Sequence, residues 1–164
     1  MHSEILSWDD WASRIVALRG RVWKNQDTEL VHDIHDTSAI HFGIIEQGKL
    51  AACARLSFHN QLIDTPHFRY LDTGREISFK ARKAALSRMV VHPDQRGQHL
   101  CRILDEARVA RLRQSPAQSA IWAGPKWRMQ KMTRYQFRCV GRLPIGHPAN
   151  DHQLEVAVAM LQPV

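Results

Sequence analysis

The chain has 164 residues, 44% of them apolar, and 23 Lys and Arg against 16 Asp and Glu give a formal charge of +7. That length suits one domain, residues 1–164, able to bury a core of its own, and no segment approaches the ~18 apolar residues of a membrane span. The positive excess favours anionic ligands, with a coenzyme, a nucleic acid and an acidic carrier protein all qualifying.

The first residues, Met1-His2-Ser3-Glu4, show no basic region followed by an apolar run, so a cytoplasmic protein is expected. A short strand is expected at 4–6. Ser7 then reads as the N-cap of a helix, with Asp9 and Asp10 in its first turn, and Trp8, Trp11, Ile15, Leu18 and Val22 recur at spacings of three and four. These aromatics read as core. The stretch 27–36 holds Glu29, His32, Asp33, His35 and Asp36. No Cys joins them and the spacing fits no compact metal motif, so a surface loop or short helix is expected there, and no metal. Apolar runs at 39–46 and 50–57 flank Gln47-Gly48-Lys49, which signals a hairpin. From 58 to 85 the chain carries Pro66, Gly74 and mixed charges with little periodicity. A connection of that length is often functional, so it either shapes an acceptor site or is an expendable excursion.

The most informative stretch follows. Leu86-Ser87-Arg88-Met89-Val90-Val91-His92 reads as a strand, and Pro93-Asp94-Gln95-Arg96-Gly97 as a turn. In the helix that comes next, from near 98 to 114, Leu100, Ile103, Leu104, Ala107 and Leu112 recur on one face, while Arg102, Asp105, Glu106 and Arg108 fall on a solvated face. The first turn of such a helix has N–H groups without intrahelical partners and the positive end of the dipole, which together stabilise a phosphate. Arg96 adds charge and Gly97 permits close approach. Neither GxxxxGKS/T nor GxGxxG is present, so the two familiar phosphate loops are excluded. A strand at 118–124 completes a βαβ unit with parallel neighbours. A helix over 126–137 and strands over 140–145 and 154–161 come last. Arg108, Arg111 and Arg113, and later Lys126, Arg128, Lys131 and Arg134, read as solvated basic faces. Cys53, Cys101 and Cys139 give neither a disulfide framework nor metal spacing. They read as reduced and as small buried residues, Cys101 at the helix start being the exception open to reactivity.

Val90-Val91-His92-Pro93, then Arg96-Gly97, then Leu100-Cys101-Arg102-Ile103-Leu104-Asp105 resembles the coenzyme A signature of the GNAT N-acetyltransferase superfamily, whose core is Arg/Gln-x-x-Gly-x-Gly/Ala. Arg96 matches the leading residue, Gly97 the usual following Gly and Cys101 the last small residue, while His99 stands where the central Gly is usual. Leu18-Arg19-Gly20-Arg21-Val22-Trp23 resembles a segment of the family's first helix. Ala39-Ile40-His41-Phe42 with Ala52-Cys53-Ala54-Arg55-Leu56 resembles its next hairpin, and Met132-Thr133-Arg134-Tyr135-Gln136-Phe137 sits where the family often has Y-x-x-x-G-F. The region from 58 to 85 is unmatched.

The resemblance implies an α/β GNAT fold: a mixed, mostly antiparallel sheet of six to seven strands with a central, splayed parallel pair and flanking helices. It implies acetyl-CoA or another acyl-CoA as donor and direct attack on the thioester by an amine, the acceptor being a small molecule or a protein. Cofactor contacts are then expected from Met89, Val90, Val91, Arg96, Gly97, Gln98, His99, Leu100 and Cys101, with a backbone N–H near Val90 or Val91 facing the thioester carbonyl. Met132 occupies the position of the family's usual thiolate acid, so Tyr135, about one helical turn on, is the candidate acid. His41 and Glu76 are candidate bases, and Ser87 and Arg88 are expected to face the acceptor. A donor riding on acyl-carrier protein, as in N-acyl amino acid or acyl-homoserine-lactone-like synthases, is the rival enzymatic reading. A catalytically silent CoA-binding or regulatory module is the non-enzymatic one. Nucleic-acid binding rests on charge alone, no membrane partner is expected, and a homodimer is compatible with all of these.

Overall fold

Seven strands and three helices form among the residues described in the computed structural model, which are 1–23, 31–61, 64–65, 82–142 and 154–160. The chain divides into two compact units, Met1–Ser57 with Ser87–Arg111, and Phe58–Leu86 with Leu112–Val164.

In the first unit β1 (Glu4–Leu6) leads into α1 (Trp8–Trp23), whose first turn carries Asp9 and Asp10 and whose Trp11 N–H reaches the Ser7 carbonyl at 3.1 Å. The helix lays Ile15 and Leu18 against Leu6, Leu50, Cys53 and Val90, with Trp8, Trp11, Val22 and Trp23 closing the edge of that cluster. β2 (Ile40–Glu46) pairs antiparallel with β1 on one side and with β3 (Lys49–His59) on the other. The turn between β2 and β3 has Gln47 at φ +49° and Gly48 at φ +75°, the two positive values that a type I′ hairpin turn requires. β4 (Lys83–Val91) follows β3 in the strand order β1-β2-β3-β4, and the His92 N–H bonds the Ala51 carbonyl at 2.8 Å where β4 ends. A 3-10 turn (Pro93–Gln95) then leads to α2 (Leu100–Arg113).

In the second unit residues 83–86 of β4 pair parallel with 119–122 of β5 (Ser119–Pro125). β7 (Leu154–Met160) lies antiparallel between β5 and β6 (Arg138–Arg142). α3 (Lys126–Met132) continues into a 3-10 turn (Thr133–Tyr135) that Gln136 ends at φ +70°. Leu112, Ile121, Trp122, Met129, Met132 and Phe137 are buried there. The mixed α/β sheet, with its parallel pair, is the architecture the resemblance implies.

Several sequence expectations are corrected. β3 runs to His59 and β4 begins at Lys83, so both ends of the expected 58–85 connection are strand, the charge of Lys83 being met by the Asn60 carbonyl at 3.3 Å. Asp105 and Arg108 are not solvated: they form a buried i,i+3 pair at 2.6 Å, and Arg108 turns inward to bond main-chain carbonyls. Arg128 is buried as well, its guanidinium carbon 5.7 Å from the Trp122 ring centre, where the flat cation gains from the aromatic face. Cys139 is exposed and Cys101 half-buried, so of the three only Cys53 is a core residue. There burial pushes the thiol up to about 11, which keeps it protonated.

Candidate active site

The turn after β4 builds its shape from two left-handed residues. Gly97 sits at φ +85°, with nothing within 4 Å of where a Cβ would lie, and His99 sits at φ +59°. Histidine is among the few side chains enriched in that region, so the substitution keeps the backbone path at some cost. His99 then acts as the N-cap of α2, its carbonyl accepting from the Arg102 N–H at 2.9 Å and the Ile103 N–H at 3.4 Å. Among the described residues the N–H groups of Gly97, Gln98, His99 and Leu100 donate to no main-chain carbonyl. Arg96, Gly97, Gln98 and His99 are exposed, Cys101 is half-buried and Leu100 anchors the helix in the core. Main-chain donors without main-chain acceptors, in an exposed turn at the positive end of a 14-residue helix, are the groups a pyrophosphate needs, so the residues present suit coenzyme A.

Beside this turn lies an open cleft of about 770 Å³, its walls including Arg14 and Arg21 of α1, Glu46 and Lys49 of the hairpin, and His92 and Gln98. His92 Nε2 is 2.8 Å from Arg21 Nη1, and its Nδ1 is 3.3 Å from the Asp94 N–H. An imidazole offers at most one acceptor nitrogen, so it satisfies one of these donors at a time.

Upstream in β4, Val90 is buried and Met89 and Val91 are half-buried. The two residues expected to face an acceptor are drawn instead into an internal charge network. Ser87 Oγ accepts from Arg55 Nε at 3.0 Å, and Arg88 Nη2 donates to Asp33 Oδ2 at 2.6 Å, with its guanidinium carbon 5.8 Å from the Trp23 ring centre. Arg55 also grips Asp33 through both terminal nitrogens and reaches Asp36 at 2.9 Å, while Arg19 Nη1 holds both Asp36 oxygens at 2.9 and 3.0 Å. Three guanidiniums thus share two carboxylates, with Arg19, Arg55 and Asp36 fully buried. Burial alone would raise the Asp33 carboxyl, but the charges and hydrogen bonds of Arg55 and Arg88 outweigh it and hold the group well below the usual carboxylate range. The same contest, with Arg19 and Arg55 prevailing, lowers Asp36. A solvated loop at 27–36 is therefore corrected for its last residues: Asp33 and Asp36 are the counter-ions of the first unit's core. The signal for them was Arg55 inside an apolar strand and Arg19 on a helix face among apolar residues, since an inward Arg requires an acceptor.

His41 is 1% exposed, stacked 4.7 Å from Trp8, with Nε2 bonded to the Asp36 carbonyl at 2.8 Å. Burial lowers its pKa and keeps the ring neutral, the hydrogen bond opposing this only in part. Nε2 therefore carries the proton, and Nδ1 is buried with no partner among the described residues. Such a ring packs the core and exchanges protons with solvent poorly. Glu76 lies outside the described residues. Tyr135 is half-buried in the 3-10 turn of the second unit, with the Arg134 guanidinium carbon 5.8 Å from its ring centre. Met132, at the position aligned with the family's usual acid, is fully buried. Residues 87–91 and 96–101 thus belong to the first unit, as does His41, while Tyr135 belongs to the second.

Residues 4–127 match the Acetyltransferase (GNAT) family. The chain belongs to that family. Solved structures agree on the fold of this GNAT protein at low identity. It resembles the ribosomal-protein-S18-alanine N-acetyltransferase of Escherichia coli (TM-score 0.65, 14% identity, 99% of this chain and 94% of that one). It also resembles an acyl-CoA N-acyltransferase of Pseudomonas aeruginosa (0.66, 16%, 96% and 97%). A third likeness is to a GNAT family acetyltransferase of Brucella melitensis solved in complex with acetyl-CoA (0.62, 12%, 99% and 90%). No protein of curated function matches the sequence. Acetyl-CoA is the donor the GNAT family uses.

Proposed function

We propose that this GNAT protein transfers an acetyl group from acetyl-CoA to a primary amine of a small molecule or a protein chain terminus. The observation that carries the reading is the pair of positive φ values at Gly97 and His99, because His99 there adopts the left-handed backbone that a glycine would supply. Acetyl-CoA supplies an activated thioester. Gly97, Gln98, His99 and Leu100 bind its pyrophosphate by main-chain N–H groups, with Arg96 adding charge. A main-chain N–H from Met89, Val90 or Val91 polarises the thioester carbonyl, a role a backbone donor performs without reorganisation.

The neutral amine nitrogen forms the new bond to the acyl carbon, the carbon–sulfur bond breaks and its electron pair leaves on sulfur. The amine's surplus proton passes to a base or to water, and the departing thiolate takes up a proton to leave as the CoA thiol. The buried setting of His41 argues against giving it the base role, which leaves Glu76 or water. The Escherichia coli relative is named for acetylating an alanine of a ribosomal protein, which supports an amine of a protein chain as one acceptor class.

Titration calorimetry with acetyl-CoA at low salt tests the donor, and thiol release over a panel of amines tests the reaction. Saturable binding followed by amine-dependent release of CoA is the expected outcome. Absence of any heat at millimolar acetyl-CoA would overturn it.

A further inference from the structure

We infer that Asp33 is a positioning residue: by bonding Arg88 it fixes a left-handed turn inside β4, and with it the direction of the main-chain N–H groups of Met89, Val90 and Val91. This rests on the acetyl-CoA reading above, which supplies the carbonyl those groups would meet.

The turn is real strain at an unexpected place. Arg88 adopts φ +54° in the interior of a strand, where a long side chain gains nothing from a left-handed backbone, and such a residue persists only when its surroundings over-determine it. They do so from both sides. Ser87 is held by its Oγ to Arg55 Nε at 3.0 Å and by its carbonyl to Arg108 Nη1 at 3.3 Å. Arg88 is held by Asp33 at 2.6 Å and lies over Trp23. Asp33 in turn is not free to follow Arg88, because Arg55 Nη2 bonds the same Oδ2 at 2.9 Å, and its own N–H bonds Asp36 Oδ2 at 3.1 Å.

One carboxylate oxygen therefore receives two guanidiniums. Without it, Arg55 and Arg88 face each other as like charges with 0% and 10% exposure, and the one nearer the surface is the one that moves. When Arg88 swings outward its φ relaxes to the extended region, and the peptide that follows rotates. The residue that sets the polarising N–H is thus distant in sequence from the strand it acts on, and it acts through Arg88 without touching the substrate.

Infrared difference spectroscopy of bound acetyl-CoA, carbon-13-labelled at the carbonyl, reads the polarisation directly and needs no acceptor. The unmodified protein is expected to lower the carbonyl stretch relative to free acetyl-CoA. Asp33→Asn is expected to lose more than half of that lowering while its calorimetric affinity changes less than about threefold, since the pyrophosphate cradle is intact. Arg88→Gly provides a second variant that leaves no cation behind and tolerates positive φ without a tether. It is expected to lose the lowering too, with a cooperative thermal transition confirming the fold. Full lowering in both variants would overturn the proposal, as would bound acetyl-CoA with an unshifted carbonyl in the unmodified protein. In the latter case the donor assignment stands. Failure of the unmodified protein to bind acetyl-CoA removes both.

Discussion

His99 shows how a single side chain records a compromise between backbone and ligand. A non-glycine residue in the left-handed region costs about 1–2 kcal/mol, and His99 accepts that cost at φ +59° in a turn whose N–H groups meet no main-chain acceptor among the described residues. His99→Gly removes the strain and is expected to raise the thermal midpoint by about 2–4 °C, the size of a ~1 kcal/mol gain in a chain of this length. Gly97→Asp is expected to fold, because a Cβ there meets open space and Asp tolerates positive φ, yet to weaken acetyl-CoA binding at least about tenfold by setting a negative charge against the pyrophosphate. Scanning calorimetry and ligand titration check the two; equal affinity in Gly97→Asp removes the turn from the binding site. The identity of the turn was legible in the sequence, because Gly97, Arg96 and the apolar period of the helix are local signals. The conformation of His99 was not, since periodicity says nothing about φ at a residue whose side chain points to solvent.

His41 carries a prediction of a different kind at the same scale. Its pKa in the folded chain lies below the ordinary histidine value because burial penalises the charged ring. The unfolded chain therefore takes up the proton first as pH falls. The stability contribution is whole above about pH 6.5 and declines below it, with a slope of up to ~1.4 kcal/mol per pH unit for one proton. His35, lowered chiefly by burial, adds to the decline in the same sense. In urea unfolding followed between pH 7.5 and pH 5, His41→Phe is expected to lose less stability on acidification than the unmodified protein, and identical slopes would show that His41 is not the titrating group.

At the scale of elements, the charge network decides how α1, the 31–36 segment, β3 and β4 are tied. Arg19 comes from α1, Arg55 from β3 and Arg88 from β4, and all three close on Asp33 and Asp36. Each partner lies 17 to 55 residues from its acceptor, so no window of the sequence contains a pair. That is why the elements themselves were readable from spacing, while the acids between α1 and β2 read as a surface loop. Asp36→Asn is expected to cost about 3–5 kcal/mol, because it leaves Arg19 and Arg55 buried beside a neutral amide. It is also expected to flatten acid denaturation. Asp36 has a lowered pKa in the folded chain, so its contribution is present above the unfolded value of about 3.9 and disappears as pH falls through the folded one. Chemical unfolding at neutral pH measures the first effect and an acid titration of the folded signal measures the second; a loss under about 1 kcal/mol would mean the network is surface-like in its energetics.

At the scale of the whole molecule, little of the +7 charge resides in the internal network. Arg19, Arg55, Arg88 and Arg108 share the buried or half-buried carboxylates of Asp33, Asp36 and Asp105, so most of the net charge lies elsewhere. Arg14, Arg21, Lys49 and Arg96 are exposed, the first three lining the cleft beside the phosphate-binding turn, and their nearest acids there are Glu46 and Asp94. A polyanionic coenzyme approaching the first unit therefore meets a net attraction that begins before contact. Attraction of that kind raises the rate of encounter more than the lifetime of the complex, and it fades once the Debye length shrinks from about 20 Å to a few ångström. Stopped-flow binding of acetyl-CoA is expected to show an association rate that falls at least about tenfold between ~20 mM and ~500 mM salt, with a smaller change in dissociation. Arg21→Ala with Arg96→Ala should lower the rate at low salt and leave the high-salt rate nearly unchanged. An association rate indifferent to salt would mean that the exposed cations around the turn are balanced by their neighbours, and that the coenzyme is captured by the main-chain donors of the turn alone.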